Sequence, residues 1–534
     1  MKTTIGGERL LKKSFLMASA TVISRILGLI RVIFSAHILG GGMLASVWFY
    51  TFMIPNLFRR LLGEGALGTS LVPIISYTND KISRDSARRK LSVILAFLSL
   101  VLAGICILTV LVCYGLYPFI EDEQVRLILE TVPAIIPYTF FICMIGAISA
   151  VLNSFNLFFL PAVGALFLNL SLILTYIFVC PGYSGSPHGV LYSLSGAVLT
   201  AGILQFLMVL YLLKKVGMFP DMGAVIRGEN RLRQLAVIRE LWKLMIPGLI
   251  GAGAVQISMF LDKSLALFLG DKALPALTYS DRIVYLPIGI FAVSFGTVAL
   301  SQMSHLAAKK NYAELGTTLV DGLKYLMIIC LPITVFVVIF RELIIRLLFL
   351  HGEFDLSALK ETAYAMFFYA MGIPAFAAVK IIVSAFHSRK DMKTPVRISI
   401  LCLGVNLCCS LILMFPMRQG GLALATVISS LLNNFLLLRC LRKEISIELR
   451  CLLKTSLFSL IFSVAAAFVS SLVLAGLGEW RLPVVFVKEF LPMILTLGTF
   501  LITYFLLMLL FNPDEIRSIA GVLLRRKQKQ IKSE

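Results

Sequence analysis

Ten charged side chains interrupt the apolar stretches of this sequence: Arg25, Arg31, Arg59, Arg60, Glu64, Asp262, Lys263, Asp281, Arg282 and Lys380. A charge at mid-bilayer depth is costly, so such residues face a bundle interior or a wet cavity and mark function. Seven of the ten are basic, and a cavity lined that way calls for an anion. A guanidinium presents five donors in a rigid fork that matches phosphate oxygens two at a time. Arginines converging from separate helices therefore read as a cradle for a diphosphate. On an α-helix Arg60 and Glu64 share a face at i and i+4. Arg25 and Arg31 diverge by about 120° and border a wide cleft, while the adjacent Asp281 and Arg282 point about 100° apart.

The elements that must position these groups are membrane helices. The chain has 534 residues, of which 59% are hydrophobic and 14% charged, and its mean hydropathy of +0.93 lies outside the range of soluble domains. A bilayer core takes about 20 apolar residues per helix. On that scale about fourteen spans are expected, starting near residues 14, 44, 91, 129, 159, 188, 244, 273, 317, 358, 395, 419, 453 and 484. The fold class is an all-α polytopic membrane protein. Pro55, Gly63 and Gly65 break the second span, and Pro287, Gly289 and Gly296 the eighth. Broken helices are tolerated at depth only beside protein or water, and these two carry arginines. The first span is too long for a signal-peptide core and is expected to be retained.

The formal charge of +21 sits in alternate loops. Arg9, Lys12, Lys13, Lys81, Arg84, Arg88, Arg89 and Lys90 fall on one side, as do the Lys214–Lys243, Arg389–Arg397 and Arg439–Lys454 loops and the tail with Arg525, Arg526 and Lys527. The other side is poor in Lys and Arg and includes Glu121, Asp122 and Glu123. This positive-inside pattern places both termini in the cytoplasm, with anionic lipid rather than nucleic acid as the partner of the basic loops. The ten cysteines lack metal or disulfide spacing and read as small core residues. The histidines at 37, 188, 305, 351 and 387 are isolated, and no carboxylates cluster for magnesium, which argues against phosphoryl-transfer chemistry. The chain reads as a transporter, with no cofactor beyond a coupling ion or the membrane potential.

An internal repeat is visible. Ser154 is followed by Pro161 and Ser388 by Pro395, seven residues on in both cases and six spans apart. Two six-helix lobes around a central cavity follow: residues 1–217, a cytoplasmic linker 218–243, a second lobe 244–443, and a remainder, 444–534, holding two more helices and a basic tail.

The chain closely resembles the MurJ/MviN lipid II flippases of the multidrug/oligosaccharidyl-lipid/polysaccharide exporter superfamily. The resemblance rests on Ser24–Arg31, Ile54–Ala66, Val72-Pro73, Asn153, Pro161-Ala162, Gln256–Ser258, Ser280–Arg282 with Pro287, and Lys380 followed by Ser388–Val396. It implies a flippase that carries the undecaprenyl-diphosphate-linked peptidoglycan precursor from the cytoplasmic to the outer leaflet of the bacterial inner membrane, alongside the cell-wall synthesis machinery. Arg25, Arg31, Arg59 and Arg282 match the family's cavity arginines, Lys380 an important lysine and Glu64 a cavity carboxylate. The resemblance also implies a lipid-tail groove between the last two helices. Some members bind sodium, and the matching positions are Asp262, Asn406, Ser410, Leu422 through its carbonyl, and Thr426. Three departures stand out: Val32 and Ser46 replace aspartates of other members, and Met53 replaces a lysine. The alternatives are an exporter of another lipid-linked glycan or of a drug, and a polyprenyl-diphosphate enzyme. A drug exporter would be expected to use acidic cavity residues.

Overall fold

The computed structural model of the chain describes residues 24–155, 157, 159–221, 223, 225, 231–477 and 485–511. Helices account for nearly all of them, as apolar segments without water to satisfy their backbone require. In chain order they are α1 (24–39), α2 (Met43–Phe58), a π-helical stretch (Arg59–Ala66), α3 (Leu67–Lys81), α4 (Arg84–Leu116), α5 (Glu123–Ile135), α6 (Pro137–Ser154), α7 (Phe159–Leu174) and α8 (Pro187–Lys215). Then come α9 (Arg231–Leu267), α10 (Ala273–Pro287), a π stretch (Ile288–Ala292), α11 (Val293–Ala308), α12 (Tyr312–Ile339), α13 (Arg341–Phe349), α14 (Leu356–Met371), α15 (Ile373–Ser388), α16 (Lys393–Leu441), α17 (Leu449–Leu477) and α18 (Val485–Phe511).

The starts are set by local chemistry. Ser83, Asp122, Ser186 and Asn311 each accept a hydrogen bond from the backbone N–H three residues on, which satisfies an otherwise orphaned donor. Asp391 does the same for Lys393 and Thr394, at 3.1 and 3.0 Å. Hydrogen bonding from the Thr394 side chain, then from its backbone N–H, holds the Asp391 carboxyl below the usual carboxylate range. Proline opens α6, α8 and α15, where its missing N–H is no loss.

Ten helical segments among the described residues are long and apolar enough to cross a membrane. One of these, α16, departs from helical geometry at Arg418 (φ 49°, ψ −132°), two residues after Pro416, where the eleventh and twelfth spans are expected to meet. The segment 43–81 is not among the ten; it carries Arg59, Arg60 and Glu64.

By internal contact the chain forms two units. One runs to Pro275 and takes in His351–Asp355; the other comprises Ala276–Leu350 and the chain from Leu356 onward. The division falls later than the 218–243 linker because α9 packs on α2, α3, α4 and the first π stretch. In the second unit α17 and α18 pack together and α17 lies on α12. There the buried Tyr504 hydroxyl lies 2.8 Å from Ser459 Oγ and donates to the Ile328 carbonyl at 2.8 Å.

The repeat read from Ser and Pro extends to the backbone. After α6, the N–H groups of Phe155 and Leu157 both donate to Leu152 O, at 3.0 and 3.1 Å; after α15, those of Arg389 and Asp391 both donate to Phe386 O at 3.0 Å. Ser154 and Ser388 each bond back to the carbonyl three residues earlier, at 2.6 and 2.8 Å. Every one of these positions, and the first residues of α7 and α16, are 234 residues apart.

Candidate functional site

In the first unit, α1 presents Arg25 exposed and Arg31 half-buried. The Arg31 guanidinium lies over the Phe52 ring, 5.8 Å from its centroid, and Phe52 in turn stacks on Trp48. The Tyr138 side chain of α6 is buried at 1% exposure, packed so that a Cβ on Gly202 of α8 would lie 2.7 Å from its ring. Val32 is buried at 6% exposure, so its site is a core position that suits an apolar side chain better than a carboxylate. Ser46 is fully buried and accepts a 2.6 Å hydrogen bond from Gln124 Nε2, a neutral pair at the second departure. Met53, the third, is half-buried.

Arg59 and Arg60 open the π stretch Arg59–Ala66. Arg60 and the Glu64 expected to pair with it both fall in this stretch. The side chain of Glu64 lies outside the described residues. Arg60 reaches α9, with Nη1 3.4 Å from Gln256 Oε1 and 3.6 Å from Met259 Sδ. One turn and more away, Tyr50 pairs its hydroxyl with Ser264 Oγ at 3.1 Å and its ring with Phe260. These contacts fasten α9 to the arginine-bearing helix. On the other flank, Gly63 meets α6 so closely that a Cβ on Gly146 would lie 2.7 Å from the Gly63 Cα.

The second unit repeats the device. Asp281 is half-buried and Arg282 exposed on α10, which also runs into a π stretch. Buried Ser280 fixes the helix by donating to Ala276 O at 2.6 Å and Thr362 O at 2.9 Å. Tyr285, one turn after Arg282, stacks on Phe376 of α15 with centroids 5.5 Å apart. Lys380, one turn beyond Phe376, is exposed, and its backbone lies against Gly296, whose carbonyl accepts from Ser384 Oγ at 3.2 Å. Arg282 and Lys380 thus sit on the two helices that share this aromatic stack.

Of the residues matched to the sodium site, Asn406 and Ser410 are buried on one face of α16. Thr426 Oγ1 donates to the Leu422 carbonyl at 3.1 Å, and Ser429 Oγ binds Cys402 O at 2.7 Å, joining the two arms of that helix. Asp262 lies half-buried on α9 in the first unit. Tyr138, Phe52 and the Tyr285–Phe376 stack were not singled out by sequence, and Gln256 was named only within the resemblance, without its partner Arg60. Each acts across more than 20 residues of chain, and no local pattern signals such a pairing.

A chain nearly all helical in its described residues, with ten candidate membrane spans and guanidinium groups on helices that run into π stretches, is of the transporter class. It belongs to the MurJ lipid II flippase family, whose profile matches residues 35–497. Probable lipid II flippase MurJ of Vibrio cholerae is 30% identical, over 82% of this chain and 84% of its own length. Lipid II flippase MurJ of Burkholderia cenocepacia is 31% identical, over 86% and 88%. The solved lipid II flippase MurJ in an inward closed conformation superposes with a TM-score of 0.76 at 23% identity, over 94% of this chain and all of that one; this likeness shows the fold.

Proposed function

We propose that this chain flips lipid II from the cytoplasmic to the outer leaflet of the bacterial inner membrane for peptidoglycan synthesis. The observation that carries the reading is the family match over residues 35–497, joined to basic residues on helices that run into π stretches in both units. In this reading Arg25, Arg31, Arg59, Arg60, Arg282 and Lys380 bind the diphosphate, while Glu64 and Asp281 balance the charge. The prenyl chain stays in lipid along α17 and α18. The two six-helix lobes, 1–217 and 244–443, alternate access, both termini are cytoplasmic, and the basic loops rest on anionic lipid near the cell-wall machinery. Cells depleted of their own flippase and supplied with this chain are expected to expose lipid II on the outer leaflet. Growth sustained without such exposure would favour another lipid-linked glycan as cargo.

We also propose that the membrane potential drives the cycle and that sodium binds at Asp262, Asn406, Ser410, Leu422 O and Thr426. One charge moved through 100 mV is worth about 2.3 kcal/mol, so collapsing the potential is expected to slow flipping by more than about tenfold. Asp262→Ala should abolish only the sodium dependence. Flipping indifferent to the potential, or a variant as sodium-dependent as its parent, would reject the respective part.

A further inference from the structure

A second charged concavity lies in the second unit, against α14. It is a cavity of about 360 Å³ lined by Arg341, Glu342, Lys360, Tyr364, Phe367 and Phe368, within the roughly 300–1,000 Å³ of small-ligand sites. Its place is set by the chain. α12 ends at Ile339, α13 turns aside, and α14 begins the next span at Leu356, so the cavity sits at the ends of two spans. It lies at the opposite end of α14 and α15 from the Arg389–Arg397 loop.

Its shape follows from α14. Lys360, Tyr364, Phe367 and Phe368 recur at i, i+4, i+7 and i+8 and so share one helical face. Phe368 packs edge-on against both Tyr364 and Phe367, with centroids 5.3 and 5.1 Å apart. Gly420 backs this wall so closely that an added Cβ would lie 2.5 Å from the Tyr364 ring. Arg341 closes the other side: its guanidinium lies 5.2 Å from the Phe367 centroid, and Nη1 donates to Val338 O. That contact uses one of the five N–H donors of the guanidinium, which lines the cavity. Lys360 is exposed at its rim.

We infer that this cavity binds the headgroup of an anionic phospholipid. Two cations against the single carboxylate of Glu342 select an anion. The guanidinium fork suits phosphate oxygens. An aromatic wall at the ends of membrane spans is where ring side chains meet lipid headgroups, and it receives the glycerol and first methylenes that a free phosphate lacks.

The test uses the full chain, purified and mixed with phosphatidylglycerol or phosphatidylcholine, with retained lipid read by native mass spectrometry. Each cation near an anionic surface contributes enough that Arg341→Gln with Lys360→Gln is expected to cut the preference for phosphatidylglycerol by about tenfold or more. Tyr364→Ala should weaken retention with the charges intact. Lys360→Gln alone, at an exposed position, decides the matter if the double variant misfolds, and should lower the preference several-fold. A preference unchanged in the folded variants overturns the proposal. So does displacement of the lipid by an equal concentration of glycerol 3-phosphate, which would make the site one for soluble phosphate.

Discussion

Arg31→Ala is expected to abolish rescue of a flippase-depleted strain while the protein accumulates to normal levels. The group is half-buried on α1 and lies over Phe52. A charge-assisted hydrogen bond contributes about 1.5–3 kcal/mol, and a bidentate contact to a diphosphate makes two. Loss of the fork therefore predicts a fall in flipping of about a hundredfold or more, measured as outer-leaflet lipid II. Arg282→Ala should act similarly from the second unit. If both bind one diphosphate, the double variant should fall short of the product of the two single losses, because sites sharing a partner are not additive. Arg31→Lys separates binding from packing. It keeps a charge but not the planar fork, so it should restore part of the activity, whereas a merely structural guanidinium would be replaced equally well or equally badly whatever the substrate level. Normal rescue by Arg31→Ala would remove this residue from the site.

The helical, polytopic fold was legible because apolar runs of bilayer length have few alternatives. Seven residues between Ser154 and Pro161, and between Ser388 and Pro395, were enough to expose a duplication whose turns share their hydrogen bonds. The candidate site was read from residue type, since an arginine on a membrane helix has few innocent explanations. Register was not. Arg60 faces Gln256, 196 residues away, and the π stretch that carries it is packed against Gly146 of another helix. Gly63 and Gly65 fall in the π stretch, whereas α2 runs on through Pro55; which neighbour would lie against the irregular stretch depends on tertiary packing that no local spacing encodes. The same holds for the contact units: α9 follows a long charged loop, yet Tyr50, Arg60 and their partners on α9 hold it in the first unit.

That dependence makes Gly146 the most sensitive packing position near the site. A Cβ there would stand 2.7 Å from the Gly63 Cα and 3.0 Å from its carbonyl, and backbone atoms cannot rotate aside as a flexible side chain can. Gly146→Ala must push α6 off the π stretch, and Gly146→Val must push further. Overpacking of this kind costs about 1–3 kcal/mol, so Gly146→Val is expected to lower the half-denaturation temperature of the purified chain by several degrees. The functional loss should exceed the loss of protein. Arg59 sits at the start of that stretch, and a shift on the order of 1 Å in a positioning element can cost about a hundredfold. Gly68→Ala is the matched control: it lies just beyond the stretch, its Cβ would meet nothing within 4 Å, and alanine favours the helix by up to about 1 kcal/mol. It should leave stability equal or higher and flipping intact. Equal behaviour of Gly146→Val and Gly68→Ala would mean that the close approach of α6 does not position the arginines.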